Sequence, residues 1–232
     1  TGASSGLGRH FAHVLSDAGA TVILAARRMD RLEEVAAAIT RKGGNALTVA
    51  MDVTDDGSIV AAFDSIKEAL GRPADIIVNN SGMSREGWFR DMSEEDWNAV
   101  IDTNLTGVWR VAKHGANAMV AAKAKGSIIN IASMLSFMAD PGVPAYTASK
   151  TGVLGLTRAL AHKWGREGIR VNAVAPGYHQ TDMTKPIWSV PFGNKAVADR
   201  TAVGRWVTTH DLVGPCLFLA SPVADYITGT TI

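Results

Sequence analysis

Short apolar runs rich in β-branched residues alternate along this chain with longer segments whose apolar positions recur at helical spacing. The short runs at 21–26, 46–51, 75–79, 127–132, 170–175 and 230–232 predict strands. The stretches near 6–18, 29–42, 55–70, 93–122, 145–167 and 208–220 predict helices, with Asp30, Ser93 and Thr209 as expected caps. Strands followed in turn by helices imply an α/β fold with a parallel sheet. Most connections are short. The exception runs from Gly177 to about Thr208 and carries Pro186, Trp188, Pro191 and Phe192. A connection of that length is expected to be a lid over a site or a disordered insert. One domain over 1–232, with the lid at about 178–207, is the simplest organisation. Thr1-Gly2 reads as a strand end entering a turn and Thr230–Ile232 as a strand start. A chain trimmed of its first strand and part of its last is therefore expected.

Composition narrows the function. With 23 basic and 22 acidic residues and a net charge of +1, bulk electrostatics give no support to a nucleic-acid or membrane-surface partner. The single cysteine, Cys216, has no partner for an internal disulfide and sits in an apolar stretch. No apolar run approaches the roughly 18–20 residues needed to cross a bilayer, so a cytoplasmic setting is the default expectation. His10 and His13 lie one helical turn apart, but spacing brings no third ligand to them. No metal site is expected.

The chemistry is concentrated in a few motifs. Gly2, Gly6 and Gly8, with Ser4, Ser5 and Leu7 between them, open a turn that leads into a helix. Such a turn lets the backbone approach a pyrophosphate, which the helix N-terminus then attracts. The GxxxGxG spacing departs from the usual GxGxxG. At the end of the next predicted strand, a cofactor with free ribose hydroxyls would call for Asp or Glu. Here Ala25-Ala26 is followed by Arg27-Arg28, a pair suited to a 2′-phosphate. NADP is therefore expected over NAD. Asp52-Val53 and Asn80 with Gly82 follow two further strands, where ligands bind in open α/β sheets, although Asn and Gly also suit plain turns. Tyr146 and Lys150 stand one turn apart on a predicted helix. An ammonium beside a phenol favours the phenolate and eases proton transfer to or from an alcohol or ketone oxygen.

Together these residues resemble the short-chain dehydrogenases/reductases over essentially the whole chain. The matching motifs are TGASSGLG (1–8), Asp52-Val53, NNSG (79–82), Asn104 in Asn-Leu-Thr-Gly, Ser133, YTASK (146–150) and Pro176-Gly177 with Thr181. The resemblance implies a Rossmann-type, doubly wound parallel sheet of seven strands with helices on both faces. It also implies a nicotinamide cofactor and a catalytic tetrad of Asn104, Ser133, Tyr146 and Lys150. Ser133 would orient the substrate oxygen and Tyr146 would exchange its proton. Lys150 would also hold the nicotinamide ribose, and Asn104 would interrupt its helix to hold a relay water. Asp52 and Val53 would lie near the adenine ring, and Asn80 and Gly82 near the adenosine. Pro176, Gly177 and Thr181 would meet the carboxamide.

The expected reaction interconverts a secondary alcohol and a ketone with NADP(H), on a small-molecule substrate such as a 3-oxoacyl thioester or simple carbonyl compound. The alternatives are an NAD-dependent sugar, polyol or sugar-acid dehydrogenase and, in another class, a non-catalytic dinucleotide-binding redox sensor. Trp88, Met134, Phe137, Tyr178, Trp188 and Phe192 are expected to give the substrate a partly apolar cavity; His179 and Gln180 stand where a hydroxylated substrate could be contacted, but facing solvent on a mobile loop is the expectation for both. The two long helices, with Val108, Trp109, Val111, Leu154, Leu160 and Trp164, are candidates for a homodimer or homotetramer interface or for the core.

Overall fold

The computed structural model describes residues 1–181 and 184–232; Asp182 and Met183, inside the expected lid, lie outside the described residues. Strands β1 (Val22–Ala26) and β2 (Ala46–Ala50) pair in parallel, as do β3 (Ile76–Asn79), β4 (Gly126–Ile131) and β5 (Ile169–Val174) in the order β3-β4-β5. The alternation along β4 explains the layering. Ile128 packs into the cluster formed with α3 (Asp56–Leu70), α5 (Gly107–Ala121) and α6 (Pro144–Trp164). Ile129 and Ile131 point the other way, to Phe11 of α1 (Gly6–Asp17) and Leu219 of α9 (Val213–Ala220). Both faces are thus covered, which is why these strands read as continuous apolar runs. On the outer sheet, Leu32, Val35 and Ile39 of α2 (Met29–Arg41) pack against Val22 and Leu24. Each such fully buried side chain stabilises the fold by roughly 1.5–3 kcal/mol relative to exposure.

Among the described residues five strands form, in two sheets. Among the described residues no strand pairs the facing edges of β1 and β3. A cleft of about 560 Å³ runs there, lined by Leu24, Phe11, Ile77 and Val78 among others. The first residues cross it: Ala3 N donates to Ala25 O at 3.3 Å and the Thr1 amino group to Val78 O at 2.8 Å. The predicted strand at 230–232 makes a single bridge, Ala173 to Thr231, supported by Ala173 N to Thr230 O at 2.9 Å and Ile232 N to Ala173 O at 3.0 Å.

Other expectations shift in detail. The predicted helix 93–122 is broken into α4 (Glu94–Ile101), a wide turn over Asp102–Thr106, and α5. Ser93 caps α4 as expected. Asp30 does not cap α2; it sits in the first turn, where its charge still favours the dipole, and Arg28 occupies the cap position. Thr208, not Thr209, caps the next turn by exchanging hydrogen bonds with Asp211. Within the lid, α7 (Lys185–Trp188) and α8 (Pro191–Arg200) each begin at a proline in the first turn. Of the candidate interface residues, Val108, Val111, Leu154, Leu160 and Trp164 are buried within the chain; Trp109 alone is exposed, at 43%. Cys216 is a core residue, 1% exposed, its thiol pushed up to about 11 by burial. No helix among the described residues is long and apolar enough to cross a membrane.

Candidate active site

The carboxyl ends of all five strands open into one cavity of about 420 Å³. Its walls follow β1 (Ala26, Arg27, Arg28), β2 (Asp52, Val53, Thr54), β3 (Asn80, Gly82, Met83), β4 (Ala132, Ser133) and β5 (Pro176, Gly177), as ligand sites in open α/β sheets do. Gly2, Ser4, Ser5, Gly6 and Leu7 close one end and Tyr146, Lys150 and Thr181 the other.

At the glycine end, Gly2 and Gly6 hold φ of +63° and +52°, which a residue with a side chain adopts at a cost. Gly8 stands outside the cavity lining for a different reason. A Cβ there would lie 2.3 Å from Gly2 O and 2.6 Å from Asn80 Nδ2, so the helix packs this close only with glycine. Ser5 occupies the cap position of α1 without a side-chain cap bond, which leaves the helix N–H groups and the dipole for an anion. Arg28 Nη2 donates to Ser4 Oγ at 3.0 Å and Ser5 Oγ at 3.3 Å, placing a guanidinium over the turn. Arg27 Nη1 lies 3.8 Å from Asp52, with its side chain 77% exposed, an ion pair too solvated to hold it firmly. Burial alone would raise the Asp52 carboxyl, but hydrogen bonds from Thr54 N (3.0 Å) and Oγ1 (2.7 Å), with Arg27, hold it below the usual range. These features fit a phosphorylated dinucleotide: an anion cradle, a free helix terminus and two cations.

At the other end, α6 carries Tyr146 and Lys150 on one face, as the spacing predicts. Lys150 is 3% exposed and Nζ donates to Ile131 O at 2.7 Å. Burial lowers its ammonium to about 8. Its Nζ lies 5.7 Å from the centroid of the Tyr146 ring. The phenol nonetheless ends above its ordinary value. Burial pushes the Tyr146 phenol up, and the Ser133 hydroxyl offsets only part of this. Ser133 is fixed by a reciprocal turn. Its Oγ accepts from Leu135 N at 3.2 Å, while Ser136 Oγ accepts from Ser133 N at 3.3 Å and donates to Lys150 O at 2.7 Å. Ser136 thereby ties the Ser133 loop to α6, a link that no sequence signal marked.

Asn104 lies in the helix break, fully buried and outside the cavity lining. Its Oδ1 accepts from Met83 N at 2.8 Å, and Nδ2 donates to Met83 O at 2.8 Å and Ser149 Oγ at 3.1 Å. Ser149 Oγ in turn donates to Tyr146 O at 2.8 Å, so Asn104 clamps the β3 loop to the turn of α6 that carries Tyr146.

The substrate side differs from expectation. Trp88, Phe137 and Phe192 are 66%, 67% and 84% exposed and stand outside the cavity lining. Tyr178 packs edge-on against Trp206, and Trp188 Nε1 donates to Thr181 O at 2.9 Å, so both brace the lid. Met83, Thr103, His179 and Thr184 line the cavity instead. His179 does not face solvent; it is buried, whereas Gln180 is exposed. Among the described residues no cluster of three or more His, Cys, Asp or Glu is arranged to hold a metal.

A hydroxyl, a phenol and an ammonium at one end of a cavity, and an anion cradle at the other, define a dinucleotide-dependent hydride-transfer site. The comparisons agree. The family model for enoyl-(acyl carrier protein) reductase matches residues 2–232. The 2-dehydro-3-deoxy-D-gluconate 5-dehydrogenase of Escherichia coli (strain K12) is 38% identical over 232 residues, covering 100% of this chain and 90% of that protein. The 3-oxoacyl-acyl-carrier-protein reductase of Vibrio harveyi is 39% identical over 233 residues, covering 100% and 92%. The crystal structure of a gluconate 5-dehydrogenase from Burkholderia cenocepacia J2315 in complex with NADP and tartrate superposes with a TM-score of 0.96 at 33% identity, covering 100% and 90%. The chain belongs to the short-chain dehydrogenase/reductase family, oxidoreductases that act on CH–OH and C=O groups.

Proposed function

We propose that the protein is an NADP(H)-dependent oxidoreductase that interconverts a secondary alcohol and a ketone, with a small hydroxylated acid or sugar acid as substrate. The observation that carries the reading is the single cavity joining Arg28, Ser4 and Ser5 to Ser133, Tyr146 and Lys150. Gly2 to Gly8 would receive the pyrophosphate on the α1 terminus, and Arg27 and Arg28 the 2′-phosphate. Asp52, Val53, Asn80 and Gly82 would line the adenosine, and Pro176, Gly177 and Thr181 the nicotinamide. When bound, the nicotinamide supplies or takes up the hydride.

The chain's own groups handle the proton. Ser133 Oγ, held by its turn, hydrogen-bonds the substrate oxygen and orients it. The Tyr146 phenol, raised by burial, stays protonated near neutral pH and so holds a proton available for the far more basic alkoxide forming in reduction. Lys150, whose Nζ lies 5.7 Å from the Tyr146 ring centroid, keeps positive charge near the phenol and stabilises its anionic form during transfer. Asn104 fixes the α6 turn on which both stand.

The hydroxyl-bearing lining, with Thr103, Ser133 and Thr184 and, among the described residues, no aromatic side chain besides Tyr146 and His179, supports a hydroxylated substrate. So does similarity to a gluconate 5-dehydrogenase and a 2-dehydro-3-deoxy-D-gluconate 5-dehydrogenase. The second reading, a 3-oxoacyl thioester, rests on similarity to the Vibrio harveyi reductase. A single domain with the lid at 178–207, a cytoplasmic setting, and a homodimer or homotetramer pairing through α5, where Trp109 and Val120 are exposed, complete the proposal. The test is the rate of NADP⁺ reduction with gluconate-type acids against NADPH oxidation with acetoacetyl thioesters. Turnover of the acids alone supports the first reading, and turnover of the thioesters alone the second. Cofactor binding without turnover of any alcohol or ketone would favour a non-catalytic redox sensor.

A further inference from the structure

Both ends of the lid meet at one buried residue. Val207, where the chain returns from the lid, forms a parallel bridge with His179, and Val207 N donates to Tyr178 O at 3.1 Å. Thr184, on the entering side of the lid, donates its hydroxyl to the His179 carbonyl. The His179 side chain is 4% exposed, and Nδ1 lies 2.9 Å from Gly177 O. A carbonyl only accepts, so Nδ1 carries the proton. Nε2 is then a lone pair, buried and without a partner among the described residues.

We propose that His179 is a positioning residue that pins the Gly177–Thr181 turn and the base of the lid at the nicotinamide end of the cavity, and that it does so only as the neutral Nδ1–H tautomer. The inference rests on reading the cavity as an NADP(H) site. Protonating Nε2 would create a buried cationic donor with no acceptor among the described residues, which costs far more than an idle lone pair. The charged surroundings do not relieve this. His10 on α1 adds like charge when protonated, and it is itself held down first by burial and then by His210 and His13. Asp211 faces His179, but a two-pronged pair with Arg205, at 2.8 Å on each arm, already engages that carboxylate. Burial lowers the imidazole from its ordinary 6.5, and the Gly177 and Asp211 contributions pull less strongly the other way. The closed turn therefore binds a proton less readily than an open one. Its stability is present in full above about pH 6.5 and falls as the pH drops below that value.

The test measures NADP⁺ dissociation constants for wild type, His179→Asn and His179→Leu across about pH 7.5 to 5.5, with unfolding checked by circular dichroism. Asn places an amide donor where Nδ1 stands but does not titrate. The ligand's own phosphate titrates against both proteins alike, so the ratio of wild type to His179→Asn isolates the imidazole. That ratio is expected near one at the upper end and to rise several-fold at the lower, while His179→Leu binds about fivefold more weakly throughout, one ordinary hydrogen bond's worth. A flat ratio, or a leucine variant that binds like wild type, would overturn the proposal. So would a pH effect abolished by His10→Gln, which would assign it to His10. Nitrogen-15 spectra of the ligand-free protein decide the tautomer independently: protonated Nδ1 and bare Nε2 are expected, and the reverse overturns the proposal. If wild type binds no NADP⁺ at any pH, the cofactor reading fails while these spectra still decide the tautomer. Should the leucine variant not fold, the asparagine ratio and the spectra remain decisive.

Discussion

Replacing Lys150 with methionine should make the protein more stable and nearly inactive. Methionine fills the space of the lysine stem without a charge. Lys150 is 3% exposed, and its ammonium falls from 10.5 to about 8 through burial alone. At about 1.4 kcal/mol for each tenfold change in proton affinity, that drop corresponds to about 3 kcal/mol of destabilisation near neutral pH. Against it stands the hydrogen bond to Ile131 O, whose loss costs about 1 kcal/mol. A net gain of about 2 kcal/mol is expected for Lys150→Met. The pH dependence carries the sign. Between about 8 and 10.5 the unfolded chain binds the proton and the folded one does not, so wild-type stability rises relative to the variant through that window. Below about 8 the penalty is complete and the gap constant. Urea unfolding of both proteins at several pH values, followed by tryptophan fluorescence, reads the gap directly. Turnover should fall by about 10²–10⁴. A variant less stable than wild type near neutral pH, or a gap that fails to narrow as the pH rises through the window, would refute the reasoning.

Tyr146→Phe should abolish turnover yet leave the NADPH dissociation constant within about twofold; near-native kcat would remove the phenol from the proton step. Arg28→Gln should weaken NADPH about 10- to 100-fold through lost charge-assisted hydrogen bonds and leave NADH unchanged, so equal loss of both, read by fluorescence titration, would count against the 2′-phosphate contact. Gly8→Ala would force a Cβ to 2.3 Å from Gly2 O. It should cost about 1–3 kcal/mol in urea unfolding and at least tenfold in cofactor affinity, despite the better helix propensity of alanine.

Much of the site was legible because its residues are tied to backbone geometry. Gly2 and Gly6 need positive φ, Gly8 needs closeness, and Tyr146 and Lys150 share a helix face by spacing. The first five strands read correctly to within one residue because they are runs of apolar, β-branched residues, whereas the expected strand at 230–232 makes one bridge only. The misses have a different origin. The break at Asp102–Thr106 depends on buried bonds from Asn104 to Met83 and Ser149, residues far away in sequence. His179 and Thr184 lie in a segment with no periodicity, so their burial follows from where the lid folds back. Trp88, Phe137 and Phe192 were assigned to the cavity on hydrophobicity, which does not say which way a loop side chain turns.

The account turns most directly on parallel titration of the protein with NADPH and NADH, following tryptophan fluorescence. Saturable NADPH binding at least tenfold tighter than NADH is the predicted result, because only NADPH offers Arg27 and Arg28 a 2′-phosphate. NADH binding as tight as NADPH, or no saturable binding of either, would contradict it.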